Sequence, residues 1–479
     1  MKEDIMIHFD GSVIAAISTA MSNSGIGIVR MCGVGAFEIA DFIYRGKNSK
    51  KLCDQKTHTI HYGHIYDGEE MIDEVLVMLM RGPHSYTGED TVEINCHGGV
   101  YVVKRVLETL IKYGARPAEP GEFTKRAFLN GKIDLSQAEA VGDIISSKNE
   151  YALQSSVHQL KGNVKEKINR IRNKIIYHTA FIESALDDPE HISVDEYGEE
   201  LRISVNELLK EIDHLLSTCN DGRIIKEGIK TVIVGKPNAG KSSLLNALTG
   251  EDRAIVTDIA GTTRDILEEH INLQGISLNV VDTAGIRDTE DIVEQIGVNK
   301  AKDYVSQADL VLFVVDASSP LDDNDYQIFN IIEGKQVIVL LNKSDLDMII
   351  TKEDIKKIYY ELYPAKFESA KTPCFTVIEI SAREKHGISA FEDQIKQQFF
   401  EGNLSFNDEI YITNVRHKTA LSDAYQSLLK VNESIDCGLP EDFYSIDLMD
   451  AYHALGSITG ESVGEDLINE IFSKFCMGK

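Results

Sequence analysis

The stretch that most constrains this chain is Gly235-Lys-Pro-Asn-Ala-Gly-Lys-Ser-Ser243. It matches G-x-x-x-x-G-K-[ST], follows the β-branched run Thr231-Val-Ile-Val234, and leads into the apolar segment Leu244 to Leu248. Strand, glycine loop and helix are the context this motif needs. Glycines let backbone N–H groups converge on phosphate oxygens, and the helix N-terminus adds positive potential. Lys241 then reaches the β- and γ-phosphates, and Ser242 is placed to ligate Mg²⁺.

From about 228 to 400 the texture is α/β. Apolar strands recur at Thr231–Val234, Ser277–Val281, Leu310–Val315, Val337–Leu341 and Phe375–Ile380. Helical stretches lie between most of them, which predicts a largely parallel sheet. Three further motifs fall at strand ends. Asp282-Thr-Ala-Gly285 offers a carboxylate that holds Mg²⁺ through water and a Gly285 N–H for a γ-phosphate. Asn342-Lys-Ser-Asp345 offers a carboxylate that accepts both guanine N1–H and N2–H₂, a pair adenine does not present, while Asn342 can tie the base loop to the phosphate loop. Ser381-Ala-Arg383 can offer a backbone N–H to guanine O6. Four such motifs in order, each at a strand end, resemble the Ras-like GTPase superfamily and argue against an ATPase.

Between the first two motifs runs Thr257-Asp-Ile-Ala-Gly-Thr-Thr-Arg-Asp265, with Thr263 positioned to complete Mg²⁺ coordination. The residue after Gly285 is Ile286, so the usual water-positioning glutamine is missing and another group must act. Asn238 has two readings on physics alone. Its carbonyl oxygen holds a monovalent cation where an arginine finger would otherwise sit, or its side chain hydrogen-bonds its own loop.

Residues 1–130 alternate short strand patterns with helical spacing at Phe37–Ile43 and Tyr101–Tyr113, which predicts a compact α+β domain. From 131 the periodicity is helical. Ser136-Gln-Ala-Glu139 reads as a capping box. Val164, Ile168, Ile171 and Ile175 share one face, as do Leu201, Val205, Leu208, Ile212 and Leu215, and both stripes read as bundle core. Residues 401–479 are helical again. The expected architecture is multidomain α/β: an N-terminal domain over 1–130, a helical domain over 131–227 and 401–479, and the α/β domain over 228–400 inserted into it.

Composition narrows the classes. A net charge of −28 makes a poor stand-alone nucleic-acid binder, so an RNA substrate needs local basic patches or a basic partner. Seven cysteines lie far apart without a C-x-x-C, which suits a reducing cytoplasm and argues against structural zinc. No apolar run approaches the roughly 20 residues of a membrane span. The opening Met-Lys-Glu-Asp-Ile carries acidic residues and no long apolar region, so no signal peptide is expected.

Several stretches together resemble the bacterial tRNA-modification GTPase family MnmE (TrmE). They are Gly25-Ile-Gly-Ile-Val-Arg30, Tyr86-Thr-Gly-Glu-Asp-Thr-Val-Glu-Ile94, Cys96-His-Gly-Gly99, the block from Pro120 to Ala140, the Gly261-Thr-Thr-Arg-Asp265 loop, and the tail from Phe472 to Lys479. Two stretches depart from the pattern. Thr19-Ala-Met-Ser-Asn-Ser24 stands where a Pro/Gly turn is common, and the tail reads Cys-Met-Gly-Lys rather than Cys-Ile-Gly-Lys.

The resemblance implies a folate-binding N-terminal domain, a discontinuous helical domain and an inserted G domain. It also implies a homodimer formed through the N-terminal domains. The implied partner is the flavoprotein MnmG (GidA), in a heterotetramer or larger complex, and the substrate is tRNA. The pair would add an aminomethyl-type group, typically carboxymethylaminomethyl, at C5 of the wobble uridine. 5,10-methylene-tetrahydrofolate or a formyl analogue would supply the carbon, and FAD on the partner the redox chemistry. GTP hydrolysis would be stimulated by K⁺ and by G-domain pairing.

Residue by residue, the resemblance implies GTP contacts from Asn238, Ala239, Gly240, Lys241, Ser242 and Ser243, then from Thr257, Asp258, Ile259, Ala260, Gly261, Thr262 and Thr263. Asp282, Thr283, Ala284 and Gly285 follow, then Asn342, Lys343 and Asp345, and finally Ser381, Ala382 and Arg383. Mg²⁺ would be held by Ser242 and Thr263, and K⁺ by Asn238 with backbone oxygens of Thr257, Ile259 and Thr262. Catalysis would rest on Lys241, Asn238 and Glu294, the last positioning water. Folate would meet Arg30, Glu93, Lys132 and Lys479. Cys476 invites a nucleophile hypothesis, attacking the uridine or carrying the one-carbon unit. A structural or substrate-positioning role for it stays open. The competing function class is a regulatory GTPase switch in ribosome or RNA assembly, without one-carbon chemistry.

Overall fold

A computed structural model describes residues 13–46, 50–188, 190–191, 197–249, 268–273, 275–282, 302–363, 375–400, 410–461 and 463–478. The described residues fall into two compact units, one drawn from within 1–145, 156–209 and 423–479 and the other from within 146–155 and 210–422. The architecture is multidomain α/β: an N-terminal α+β domain, a discontinuous helical domain and an inserted α/β domain.

In the first unit the strands are β1 (Ile14–Ile17), β2 (Ser24–Cys32), β3 (Tyr44–Gly46), β4 (Thr59–Asp67), β5 (Glu70–Met80), β6 (Thr91–Gly98) and β7 (Arg116–Pro117). They form one sheet in the order β3-β4-β5-β6-β2-β1-β7, antiparallel except for β1 with β7. On β5, Val75, Val77 and Leu79 are buried while Leu76 is exposed, the period-2 alternation of a sheet with one covered face. Helices α1 (Ala36–Ile43) and α2 (Val100–Lys112) cover that face, with Phe37, Ile39, Val103 and Val106 in its core. The β2–β6 register sets Arg30 opposite Glu93.

The helices of this unit include α3 (Glu122–Leu129), α4 (Leu135–Ser146) and α6 (Asn163–Asp187), with α5 (Glu150–Leu160) between the last two. Helix α7 spans Tyr197–Ser217, and α8 (Cys219–Glu227) follows it in the second unit. The expected core stripes are buried on α6 and α7, from Val164 to Ile175 and from Leu201 to Leu215. The capping box at α4 lies two residues earlier than the sequence reading placed it. Asp134 Oδ1 accepts the Gln137 N–H at 2.9 Å, and Gln137 Oε1 accepts the Asp134 N–H at 3.0 Å. Ser136 sits inside the helix, its hydroxyl donating to Asp134 at 2.6 Å. An ionised carboxylate is the stronger acceptor for the helix N-terminus, so it takes the cap.

The second unit holds β8 (Ile229–Val234), β9 (Glu268–Leu273), β10 (Ile276–Asp282), β11 (Leu310–Asp316), β12 (Val337–Asn342) and β13 (Phe375–Glu379). Their order is β13-β12-β11-β8-β10-β9, parallel except for the hairpin partner β9. Helices α9 (Lys241–Thr249), α10 (Asp323–Ile331), α11 (Lys352–Leu362) and α12 (Ile388–Phe400) alternate with the strands. The sheet is buried on both faces: Ile233, Leu312 and Leu340 enter one core, Val232, Phe313 and Val339 the other. Near-continuous apolar strands are the signature of a doubly covered parallel sheet. Strand ends therefore carry the polar work. Helix α13 (Val415–Asp436) begins in the second unit and ends in the first, and α14 (Glu441–Thr459) and α15 (Glu465–Ser473) follow in the first. Helix α14 packs along α6, and Phe472 of α15 meets Phe128 of α3 at 6.4 Å between ring centroids.

Candidate nucleotide-binding site and a second polar cluster

A cavity of about 580 Å³ opens in the second unit at the strand ends. Its lining joins three loops that sequence separates: Asn238, Gly240, Lys241, Ser242 and Ser243 from the phosphate loop, Asn342, Lys343 and Asp345 after β12, and Ala382 and Arg383 after β13. Pro237 and Leu346 also line it and were not anticipated, although Leu346 follows directly on the Asn342–Asp345 motif.

The loop conformation explains its glycines. Gly235 has φ +156° and a Cβ there would lie 2.4 Å from the Val314 carbonyl oxygen. Gly240 has φ +102° and its Cβ would lie 2.0 Å from Asn342 Nδ2. Asn238 adopts φ +62°, a left-handed conformation that asparagine tolerates better than most residues. The Lys241 ammonium donates to the carbonyls of Gly235 at 2.7 Å and Lys236 at 2.9 Å, which holds its charge within the loop that α9 follows.

Asn342 is buried, 3% exposed, and works in two directions. Its Nδ2 donates to the Ala239 carbonyl at 2.8 Å, and its Oδ1 accepts the Ala382 N–H at 3.0 Å. One amide thus holds the phosphate loop and the Ser381–Arg383 loop together. Lys343, at φ +65°, donates to Asp316 at the end of β11 at 2.5 Å. Burial works to raise the Asp316 carboxyl, but the Lys343 ammonium and Ser318 outweigh it and hold it below the usual range. Asp345 Oδ1 accepts the Ser381 hydroxyl at 2.6 Å, and this bond keeps the Asp345 carboxyl ionised below its ordinary range. A fixed, charged acceptor at one end of the cavity and a lysine-bearing glycine loop at the other suit a base with adjacent N–H donors joined to a phosphate chain.

Asp282 ends β10 opposite Ile233, beside the strand that feeds the phosphate loop. Thr257, Asp258, Ile259, Ala260, Gly261, Thr262, Thr263, Thr283, Ala284, Gly285 and Glu294 lie outside the described residues. Of the implied metal ligands, Ser242 and Asn238 are therefore the two whose surroundings are described. Both line the cavity beside Lys241, and both present neutral oxygen donors, the ligand type that hard cations take.

A second polar cluster lies in the first unit. Arg30 Nε bonds Glu93 Oε1 at 2.8 Å, with the two side chains 16% and 11% exposed. The Arg30 guanidinium lies 5.5 Å from the ring centroids of both Tyr86 and Phe123. The C-terminal tail reaches this cluster: the Gly478 carbonyl accepts from Ser18 Oγ at 3.1 Å and Arg30 Nη1 at 3.5 Å. Lys132 donates to the Pro83 carbonyl at 3.1 Å, and Lys479 lies outside the described residues. Aromatic faces, a cation and a buried carboxylate match a flat ring system with N–H donors and a carboxylate tail. Tyr86 and Phe123 complete that set and were missed, since no local pattern marks an aromatic as facing a site.

The cysteines divide by environment. Burial pushes Cys32 and Cys96 up to about 11 and Cys53 up to about 12, so these thiols stay protonated and inert at neutral pH. Cys476 is exposed, and its carbonyl accepts the Gly121 N–H at 3.4 Å.

Comparison with known proteins agrees along the length of the chain. Residues 13–132 match the model described as "GTP-binding protein TrmE N-terminus", and residues 135–476 match that of the "MnmE helical domain". A protein of Lachnoclostridium phytofermentans called tRNA modification GTPase MnmE is 55% identical over 467 residues, which is 97% of this chain and 99% of its own length. Proteins of the same name from Thermoanaerobacter pseudethanolicus and Clostridioides difficile are 48% and 46% identical, over 97% and 98% of this chain and 99% and 100% of their own lengths. With two family models covering nearly the whole sequence and relatives of this identity, the chain belongs to the MnmE family of tRNA modification GTPases.

Proposed function

We propose that the chain hydrolyses GTP as part of the machinery that adds an aminomethyl-type group, typically carboxymethylaminomethyl, at C5 of the wobble uridine of certain tRNAs. The observation that carries the guanine-nucleotide half is that Asp345 and Lys241 line one cavity, with Asn342 bonded to both the phosphate loop and the Ser381–Arg383 loop. Asp345 accepts the base N–H donors, and Lys241 with the loop N–H groups and Ser242 binds the phosphates. Glu294 orients the attacking water in place of the absent glutamine.

Ser242 and Thr263 would hold Mg²⁺, which would neutralise charge at the phosphates, and Asn238 with the oxygens of Thr257, Ile259 and Thr262 would hold K⁺, which would bring the charge an arginine finger otherwise supplies. The chain's own residues bind, orient and exclude water around those charges.

The one-carbon half rests on the Arg30–Glu93 cluster. Glu93 meets pterin N–H donors, Arg30 and Lys479 meet carboxylates, and Tyr86 and Phe123 offer ring faces. Lys132 serves first to fasten the loop that carries Tyr86, through its bond to Pro83. A reduced folate supplies the carbon when bound, and FAD on a flavoprotein partner the redox equivalents. Pairing of two chains through their N-terminal domains is supported by exposed apolar residues on the sheet. Ile60, Tyr62 and Leu76 are 63%, 52% and 48% exposed, and Tyr62 and Leu76 are cross-strand neighbours. Among the described residues no helix is long and apolar enough to cross a membrane.

The test is direct. The full chain should turn over GTP but not ATP, and should bind a reduced folate with an affinity that Arg30→Ala removes. GTP turnover without folate binding would favour a regulatory switch, and equal turnover of ATP would refute the guanine assignment.

A further inference from the structure

Lys236 follows Gly235 in the phosphate loop, yet its side chain does not line the cavity. Its ammonium lies 3.0 Å from Asp325 Oδ2, 3.3 Å from Asp322 Oδ2 and 3.3 Å from the Pro320 carbonyl. Three acceptors converge on a group with three donors, so the ammonium is fully satisfied. Asp325 is fully buried and Asp322 is the N-cap of α10, the two forming its capping box. Asp325 Oδ2 accepts both Lys236 and the Asp322 N–H, while its Oδ1 is buried without a hydrogen-bond partner. A buried carboxylate so placed depends on Lys236 for its compensation, because leaving it unpaired carries a large desolvation cost. At its other end, the Lys236 carbonyl accepts the Lys241 ammonium at 2.9 Å and the Ala239 N–H at 3.3 Å.

We propose that Lys236 is a positioning residue for phosphate binding: anchored on Asp325 and Asp322, it fixes the loop carbonyl that orients Lys241. The inference rests on the GTP reading above. A phosphate loop displaced by a fraction of an ångström carries both Lys241 and its N–H groups away from the β- and γ-phosphates, since they share one short backbone segment. The anchor lies outside the cavity, so base recognition by Asp345 does not depend on it.

The experiment titrates fluorescent GTP and GMP analogues against the full chain carrying Lys236→Met, Asp325→Asn, or both. GMP lacks the phosphates that Lys241 reaches, which makes the GTP-to-GMP affinity ratio insensitive to general structural damage. Each single variant should lose about tenfold in GTP affinity, the scale of one hydrogen bond to a charged group. GMP affinity should stay within about twofold, and the double variant should lose no more than either single, because both changes cut one link. The double variant removes both charges together, so it remains testable if Lys236→Met does not fold. GTP affinity within about twofold of wild type in a folded variant, or equal losses for GTP and GMP, would overturn the inference. Wild-type chain that binds no GTP would instead overturn the reading on which it rests.

Discussion

Asn342 and Ala239 stand 103 residues apart in sequence and are joined by a 2.8 Å hydrogen bond from the Asn342 amide to the Ala239 carbonyl. The same side chain holds Ala382, so Asn342→Ala would leave two backbone groups unpaired in a buried place. Expected is a stability loss of about 3 kcal/mol in urea unfolding, with weakened GTP binding. Gly240→Ala strikes the same contact from the other side, forcing a Cβ to 2.0 Å from Asn342 Nδ2 at a left-handed φ. It should impair nucleotide binding at least as much in an equilibrium titration.

The Asp345–Ser381 bond makes a prediction about base choice. Asp345→Asn should turn preference from guanine to xanthine nucleotides, with GTP affinity lower by roughly a hundredfold. Ser381→Ala should let the Asp345 carboxyl rise toward its ordinary value. GTP affinity in that variant should then fall off at a higher pH than in the wild type, as seen by titration across the acidic range.

The proposed cation role predicts salt selectivity. With Na⁺ in place of K⁺, GTP turnover at saturating nucleotide should drop steeply, and Asn238→Ala should remove the difference between the two salts. Glu294→Ala should lower kcat while leaving nucleotide affinity nearly intact, as expected of a group acting in the transition state.

His178 gives the helical core a pH dependence. It is buried, its ring nitrogens lying 2.7 Å from the Tyr197 hydroxyl and 2.8 Å from Ser204 Oγ. Burial, opposed by Glu200 and aided by Lys174, holds its pKa below the ordinary 6.5. The unfolded chain therefore binds the proton more readily. The stabilisation is complete above the unfolded value of 6.5 and is lost as pH falls through the depressed folded value. Urea midpoints should decline as pH falls below the ordinary histidine value of 6.5, and His178→Asn should flatten that decline.

Much of the fold was legible because its signals are local. The α6 and α7 stripes and the parallel strands of the second unit emerge where apolar spacing predicts them. Strand β9 escaped the reading because only Ile271 and Leu273 mark its buried face. The missed clue was the turn: Asn272 Oδ1 accepts the Gly275 N–H at 2.9 Å, a side-chain-made bend into β10. At α4 a serine-glutamate spacing drew attention from the aspartate two residues earlier, whose charge makes it the better cap. The cavity motifs were visible as short strings, whereas the bonds that assemble them span long distances. Neither the Lys236–Asp325 anchor nor the seat of Gly478 against Ser18 leaves any trace in spacing, since each pairs residues that only the folded chain brings near.

The central claim is most directly tested by mass analysis of wobble nucleosides in tRNA from cells lacking this protein, complemented with wild type or with Lys241→Ala. Carboxymethylaminomethyl-type uridines should vanish in the deletion, return with the wild-type chain, and stay absent with Lys241→Ala. A full complement of those nucleosides in the deletion strain would contradict the claim.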